Sequence, residues 1–312
     1  MSNKLEFLLS SLKEQTEPLQ RLQCLDDLVQ LYADIDHIKA FETAEEMHQL
    51  ALKHTIDGFI AHALSQKAWL YASFGNVQES YVFASQAQLI YTRLGDEKGL
   101  AKASLYASTA LRRLGDYPGA LEEALTALEL FQTNEDRQGI ADTMSRLSFL
   151  YARLGDYEQA EIYGLKAFSE FEVIKDMDAI YAFSIPNSLA MAYFHQNKHA
   201  EALDIYFKQT EFLRKINNKS DLATALNNLG TVLLHLDRLE DAEKTVTEAL
   251  MLDVETNHRY GEINSLFTLG EIEEKKKNYE GAISYFTQSL EKAIANHVEQ
   301  IIYELHDHLA AA

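Results

Sequence analysis

Apolar residues recur along the chain with the spacing of amphipathic helices, and this pattern itself repeats. Within each unit the apolar positions are separated by three, four and seven residues, which places them on one stripe of a helix. A column of small residues recurs at intervals of 36 to 42 residues and sets the register of the units. Its members are Ala44, Ser80, Ala120, Ala160, Ala202, Ala242 and Ala282. We therefore predict seven pairs of antiparallel helices.

In the second, third and fourth predicted pairs, the turn between the two helices is marked by glycine followed by aspartate or asparagine. Residues 114–120 and 154–160 read LGDYPGA and LGDYEQA. Glycine ends a helix, aspartate begins the next one, and proline is tolerated at a helix start, where Pro118 lies. Pro186 instead falls inside the first helix of the fifth pair. Because proline there removes a backbone hydrogen bond, we expect a kink or a delayed helix start within residues 183–187.

This pattern resembles the tetratricopeptide repeat (TPR) family in its first-helix leucine followed by a small residue, its Gly-Asp-Tyr turn and its two small second-helix positions. The repeat of 40 residues is longer than the common form of about 34. It is similar to the long repeats of Pins-type polarity scaffolds, kinesin light chains and bacterial signalling proteins. The resemblance implies an all-α fold, a right-handed α-solenoid of about seven antiparallel helix pairs (a TPR superhelix), whose repeats stack into a continuous core.

The repeat predicts one solenoid rather than two globular domains. Residues 1–17 are expected to form an N-terminal capping helix, and residues 298–312 a C-terminal helix. That last helix is either a cap or the start of a truncated eighth repeat, which we favour because a cap has a more polar outer face. The seven repeats are predicted at about 18–54, 57–94, 97–134, 137–174, 177–216, 219–256 and 259–295.

The TPR resemblance implies that partners bind in a concave groove lined by the first helix of each pair. On these helices the third and fourth repeats place several cations, and the fifth and sixth place amides. The predicted partner-binding residues are Trp69, Lys102, Tyr106, Thr109, Arg113, Arg146, Phe149, Arg153, Asn187, Asn227, Asn228 and Thr231.

The middle of this predicted groove is basic, through Lys102, Arg112, Arg113, Arg146 and Arg153. A basic patch in an acidic chain favours an acidic peptide or a C-terminal carboxylate as partner. A structural interpretation stays open for Arg113 and Arg153, because cations in the last turn of a helix also interact favourably with its dipole.

Asn187 and Asn227 lie in register on successive first helices. Asparagine is a poor helix former, so its presence inside a helix usually has a reason. The side-chain amide can pair with the backbone of an extended peptide, as the resemblance implies, or with a neighbouring helix. Both interpretations remain open.

Charge and composition exclude several classes of function. The chain has 312 residues, with 48 acidic and 28 basic side chains and a net charge of −20. This charge argues against nucleic acids and anionic membrane surfaces as partners. The single cysteine, Cys24, excludes a disulfide scaffold and is expected to be a small core residue. With no export signal at the start of the sequence, a cytoplasmic location is expected.

The sequence contains no catalytic motif, metal-ligand spacing or cofactor signature. We therefore predict a non-enzymatic scaffold that binds a protein or peptide, of acidic character, in the groove. The alternative is an N-terminal sensory or regulatory arm of a longer bacterial signalling protein with a kinase, nucleotide cyclase or protease-like output. The Lys and Asn set of chaperone-binding TPR proteins is not in register in any three consecutive repeats. A homodimer is compatible with the sequence, which does not fix the oligomeric state.

Overall fold

A computed structural model describes residues 2–74, 76–173, 179–296 and 298–311, which form α-helices and contain no β-strand. The prediction of an all-α helical repeat fold is confirmed. The helices are α1 (Ser2–Glu14), α2 (Pro18–Ile35), α3 (His37–Lys53), α4 (Asp57–Phe74), α5 (Val77–Leu94), α6 (Glu97–Arg113), α7 (Tyr117–Thr133), α8 (Arg137–Arg153), α9 (Tyr157–Val173), α10 (Ala179–His195), α11 (His199–Lys215), α12 (Lys219–His235), α13 (Leu239–Glu255), α14 (Arg259–Lys275), α15 (Tyr279–Ala295) and α16 (Glu299–Ala311).

The chain divides into two compact units, Met1–Leu154 and Gly155–Ala312. We call them unit 1, with α1 to α8, and unit 2, with α9 to α16. The division lies within the predicted fourth repeat. The residues at which the predicted fourth repeat ends and the fifth begins, 174–178, lie outside the described part of the chain.

In unit 1, each helix packs against the next one along the chain. Among its first helices, α2 also contacts α4, and α4 contacts α6. The small-residue column allows this close packing, because Ala44, Ser80 and Ala120 are fully buried. The buried Ser80 hydroxyl donates a hydrogen bond to the carbonyl of Ala68 at 2.8 Å. Cys24 is buried in α2, as predicted.

Unit 2 follows the same plan, with α10, α12 and α14 in contact in turn. Gly230 and Gly270 lie where a Cβ atom would overlap Val246 and Phe286 of the following second helices. Glycine at these two positions lets the paired helices approach closely. The C-terminal helix α16 buries Leu305 in a core cluster with Phe286.

The turns of both units contain residues with left-handed backbone conformation, which end one helix before the next begins. Gly95 and Gly115 do so in unit 1, with φ of 68° and 85°. Unit 2 places non-glycine residues at several such turns, including Asn257 with φ 54° and Lys277 with φ 65°. Asparagine tolerates this conformation better than lysine does.

Pro186 does not delay its helix. α10 begins at Ala179 and continues through Pro186 to His195, so the expectation of a late start is wrong. Pro186 is buried, and its neighbours Ile185 and Leu189 are fully buried. Tertiary packing of this apolar face therefore outweighs the hydrogen bond that proline removes. A kink at this position stays a prediction.

Candidate functional site

The first helices α6 and α8 of unit 1 carry the predicted cations. We call Lys102, Arg112, Arg113, Arg146 and Arg153 the basic face. Lys102 and Arg113 are exposed and form no ion pair with any carboxylate of the described residues. Both charges are therefore available to a partner. Arg113 is also the last residue of α6, so its interaction with the helix dipole remains an additional role.

Arg146 is held by the fold itself. Its Nε lies 3.1 Å from both carboxylate oxygens of Asp142, and its Nη1 donates to Thr109 Oγ1 at 2.8 Å. The Asp142 side chain is only 9% exposed, so Arg146 neutralises a nearly buried charge. Sequence reasoning placed Arg146 among the binding residues and missed this partner. The spacing of four residues within one helix was the signal that could have found it.

Two further arginines of the basic face lie over aromatic rings. The guanidinium of Arg112 is 5.3 Å from the ring centre of Phe149, and that of Arg153 is 5.4 Å from the ring centre of Tyr117. Burial, together with the positive charges of Arg146 and Arg113, lowers the pKa of Arg112. Arg112 therefore lies close to two other cations, and a group of positive charges of this kind attracts a negative ligand.

The remaining predicted residues of unit 1 have more structural surroundings. Tyr106 is largely buried, and burial raises the pKa of its phenol, which is therefore neutral at physiological pH. Trp69 is half-buried and packs against the core cluster that contains Leu28 and Leu70. Thr109 donates to the carbonyl of Leu105 at 2.9 Å. Of these three residues, Thr109 contacts the basic face, because its hydroxyl also accepts from Arg146, whereas Tyr106 and Trp69 pack against core clusters.

The predicted amides lie in unit 2, where Asn187, Asn228 and Tyr206 form what we call the amide cluster. Asn187 Oδ1 accepts from Asn228 Nδ2 at 2.9 Å and from the Tyr206 hydroxyl at 3.4 Å. Asn187 thus makes the hydrogen bond to a neighbouring helix that one interpretation proposed for Asn187 and Asn227, and its partner is Asn228. Their role in partner binding stays a prediction.

Asn227 lies beside this cluster and behaves differently. Its Oδ1 is buried and has no hydrogen-bond partner within the described residues. Its backbone carbonyl accepts from the Thr231 hydroxyl at 3.1 Å. A buried amide oxygen without a donor carries an unfavourable desolvation cost. Asn227 is therefore the predicted amide that contributes least to the stability of the fold.

No helix in the described part of the chain is long and apolar enough to cross a membrane. Across the same residues, no group of three or more His, Cys, Asp or Glu side chains is arranged to hold a metal ion.

Comparison with known proteins identifies the family. A family model described as tetratricopeptide repeat matches residues 100–169, 181–253 and 221–295, more than half of the chain. The chain therefore belongs to the TPR family, as its turns and small-residue columns indicated. A search of curated protein sequences found no match.

Solved structures share the fold at low sequence identity. BtubC (BKLC) from P. vanneervenii aligns with a TM-score of 0.60 and 21% identity, over 72% of this chain and 92% of that chain. The apo form of RapI aligns with a TM-score of 0.68 and 16% identity, over 88% of this chain and 95% of that chain. Aspartyl phosphate phosphatase F from Bacillus subtilis aligns with a TM-score of 0.67 and 15% identity, over 92% of this chain and 74% of that chain. At these identities the similarity shows the fold alone.

Proposed function

We propose that this protein is a non-enzymatic interaction module whose basic face binds an extended, acidic segment of a partner protein. The TPR fold is typical of protein–protein interaction modules. One observation carries the finer proposal: Lys102 and Arg113 stay exposed and unpaired with described carboxylates in a chain that has 48 acidic residues and only 28 basic ones.

The chemistry of the basic face fits a carboxylate-rich segment better than a neutral one. Guanidinium groups bind carboxylates through paired hydrogen bonds, and Phe149 beside Arg112 offers an apolar surface to the intervening residues. The net charge of −20 opposes the general approach of an acidic partner, so a local group of cations would also help to orient its binding.

A comparison of bait proteins in an extract of the native organism tests this function. The bait Lys102→Glu/Arg113→Glu reverses two exposed charges and leaves the Arg146–Asp142 pair intact. A matched bait, Lys13→Glu/Lys53→Glu, makes the same change of charge at two exposed residues of α1 and α3 that form no ion pair with described residues.

We expect the wild type and the matched bait to retain the same proteins, and the face variant to lose at least one acidic partner. Equal recovery of every protein by all three baits would refute the proposed basic face. Turnover of a captured protein or metabolite by the purified chain would refute the non-enzymatic role.

A further inference from the structure

Unit 2 has a groove between its second helices α11 and α13, with the first helix α12 as its floor. Part of this groove is a cavity of about 470 Å³. Each wall presents positions spaced by three, one and three residues, which form a single face of a helix. The wall residues are Ala200, Leu203, Asp204 and Phe207 of α11 and Asp241, Lys244, Thr245 and Glu248 of α13, with Arg238 at the turn before α13.

The floor of the cavity is apolar. Leu229 and Leu233 lie four residues apart on α12 and line the cavity, although both are buried in the core of unit 2. Phe207 of the α11 wall is a large apolar residue that is 54% exposed. A cavity of several hundred Å³ with apolar walls and a few polar groups has the size and composition of a site for a small molecule.

The apolar surface continues along the groove toward the end of α11. An adjoining cavity of about 420 Å³ shares Phe207 and Leu229 with the first one and adds Leu226. Leu226, Leu229 and Leu233 are separated by three and four residues, so they form one stripe of α12. The groove therefore fits an elongated apolar chain better than a compact ligand.

The carboxylates that line the first cavity are all neutralised by cations of this chain. The pairs are Glu248–Arg214, Asp241–Arg238 and Asp204–Lys208, with N–O distances of 2.5, 2.6 and 2.8 Å. Lys244 also lines this cavity, is exposed, and forms no hydrogen bond or ion pair with a described residue. The adjoining cavity has one unpaired charge of each sign, Glu211 and Lys215, and so adds no net charge. The unpaired charge beside the apolar floor is therefore an ammonium group.

An apolar floor is not shared by every groove of unit 2. Another surface cavity, of about 600 Å³ between α14 and α15, is lined by charged and amide side chains, with Ala295 as the one apolar side chain among its described lining residues. Its cation Lys292 is paired with Glu262 at 2.8 Å. The combination of an apolar stripe and an unpaired cation is thus particular to the groove between α11 and α13.

From these features we infer that this groove binds a small amphipathic monocarboxylate, with its carboxylate at Lys244 and its alkyl chain along Phe207 and the leucine stripe of α12. Removal of the alkyl chain from water supplies affinity, and the ammonium group selects a negative head group. A single ammonium matches a singly charged carboxylate, whereas a phosphate carries nearly two charges and three strong acceptor oxygens. The inference concerns unit 2 and does not depend on the function proposed for unit 1.

Titration of the full chain with small probes, followed by NMR chemical-shift changes, tests this site. The probes are octanoate, octan-1-ol, octylammonium, octyl phosphate and butanoate, each below the concentration at which it forms micelles. The variants are Lys244→Gln and Phe207→Ser. Their controls are Lys53→Gln, which removes an exposed unpaired charge of α3, and Tyr303→Ser, which removes an exposed ring of α16. Thermal unfolding verifies that each variant is folded.

We expect saturable binding of octanoate to the wild type and to both controls, with shift changes on α11, α12 and α13. Octan-1-ol and octyl phosphate should each bind at least threefold more weakly, and butanoate and octylammonium at least tenfold. Lys244→Gln should weaken octanoate at least threefold and leave octan-1-ol unchanged, because it removes only the partner of the carboxylate. Phe207→Ser should weaken both probes to a similar degree.

The inference fails if octanoate does not saturate, if octylammonium or butanoate binds as tightly as octanoate, or if Lys244→Gln binds octanoate like the wild type. Tighter binding of octyl phosphate than of octanoate would overturn it in favour of a phosphorylated amphiphile. If Phe207→Ser unfolds, Lys244→Gln decides, because Lys244 is exposed and makes no hydrogen bond or ion pair with a described residue.

Discussion

The first helices of the two units use their polar residues in opposite ways. In unit 1, Lys102 and Arg113 stay exposed and unpaired with described carboxylates. In unit 2, Asn187 and Asn228 bond each other and help to hold neighbouring helices together. Charges that the fold leaves unpaired are available for recognition, whereas amides that bond each other across neighbouring helices contribute to packing. Asn187 and Asn227 occupy the same position of successive repeats, yet Asn187 Oδ1 accepts from a neighbouring helix and Asn227 Oδ1 has no partner among the described residues, so a shared position does not by itself define a shared role.

The largest effect on stability is expected within the basic face, because its cations differ in how much they contribute to the fold. Arg146→Glu removes the partner of the nearly buried Asp142 and adds a like charge beside it, so unit 1 should lose about 2–3 kcal/mol of stability. Arg113→Glu should change stability by less than about 0.5 kcal/mol. Denaturant unfolding gives both values, and hydrogen exchange of α8 localises the loss. Equal costs would show that the Arg146–Asp142 pair has no structural role.

The amides of unit 2 should also differ in how much each contributes to the stability of the fold. Asn187→Ala leaves the Asn228 amide and the buried Tyr206 hydroxyl without their acceptor, which should cost about 1–3 kcal/mol. Asn227→Ala removes an oxygen that has no partner and improves helix propensity, so stability should stay within about 0.5 kcal/mol. Chemical denaturation of the two variants compares them directly. A larger loss for Asn227→Ala would contradict this assignment.

Carboxyl groups on the first helices also titrate differently in the two units. Hydrogen bonds lower the pKa of Asp26 in unit 1, whereas burial raises the pKa of Glu271 in unit 2 to about 7 despite the opposing charge of His308. A raised folded-state pKa contributes stability that is present below the unfolded value of 4.5 and is lost as pH rises through about 7.

The wild type should therefore lose roughly 1–2 kcal/mol more than Glu271→Gln between pH 5 and pH 8, allowing for partial solvent screening. Unfolding free energies measured at several pH values test this difference. Identical pH profiles for the two proteins would show that Glu271 is not desolvated in the folded state.

The smallest effect concerns the turns of unit 2. Lys277 has a left-handed backbone with φ 65°, a conformation that glycine adopts without steric cost. Lys277→Gly should stabilise the protein by about 0.5–1 kcal/mol, and Asn257→Gly by less, because asparagine already tolerates φ 54°. Thermal unfolding gives both shifts. Destabilisation by Lys277→Gly would mean that the Lys277 side chain makes a contact the fold needs.

The helix pairs could be predicted from the sequence because they depend on local signals. The small residues at Ala120 and Ala202 and the turn at Gly115 are each readable within a few residues. That α10 continues through Pro186 could not be predicted from the sequence, because it depends on burial against other helices. The helices that carry the cations follow from the repeat pattern, but the pairing of Arg146 was missed because the helical spacing to Asp142 was not used.

The open cavity lined by Asp26, Tyr91 and Asp96 lay beyond sequence reasoning for a different reason. Asp26, Tyr91 and Asp96 come from two helices and a turn that are far apart along the chain, and only packing brings them to one surface. The repeat pattern assigns each residue to a column and gives no distance between columns. Hydrogen bonds across repeats, such as Gln66 to Asp26, are invisible at that level.

The central claim is that the basic face of unit 1 recognises an acidic segment. Its most direct test is the affinity of a synthetic peptide, taken from the first partner captured by the wild type, for the wild type, for Lys102→Glu/Arg113→Glu and for Lys13→Glu/Lys53→Glu by titration calorimetry. We predict at least tenfold weaker binding to the face variant, unchanged binding to the matched variant, and a smaller difference at high salt. Equal affinity for all three proteins would contradict the claim.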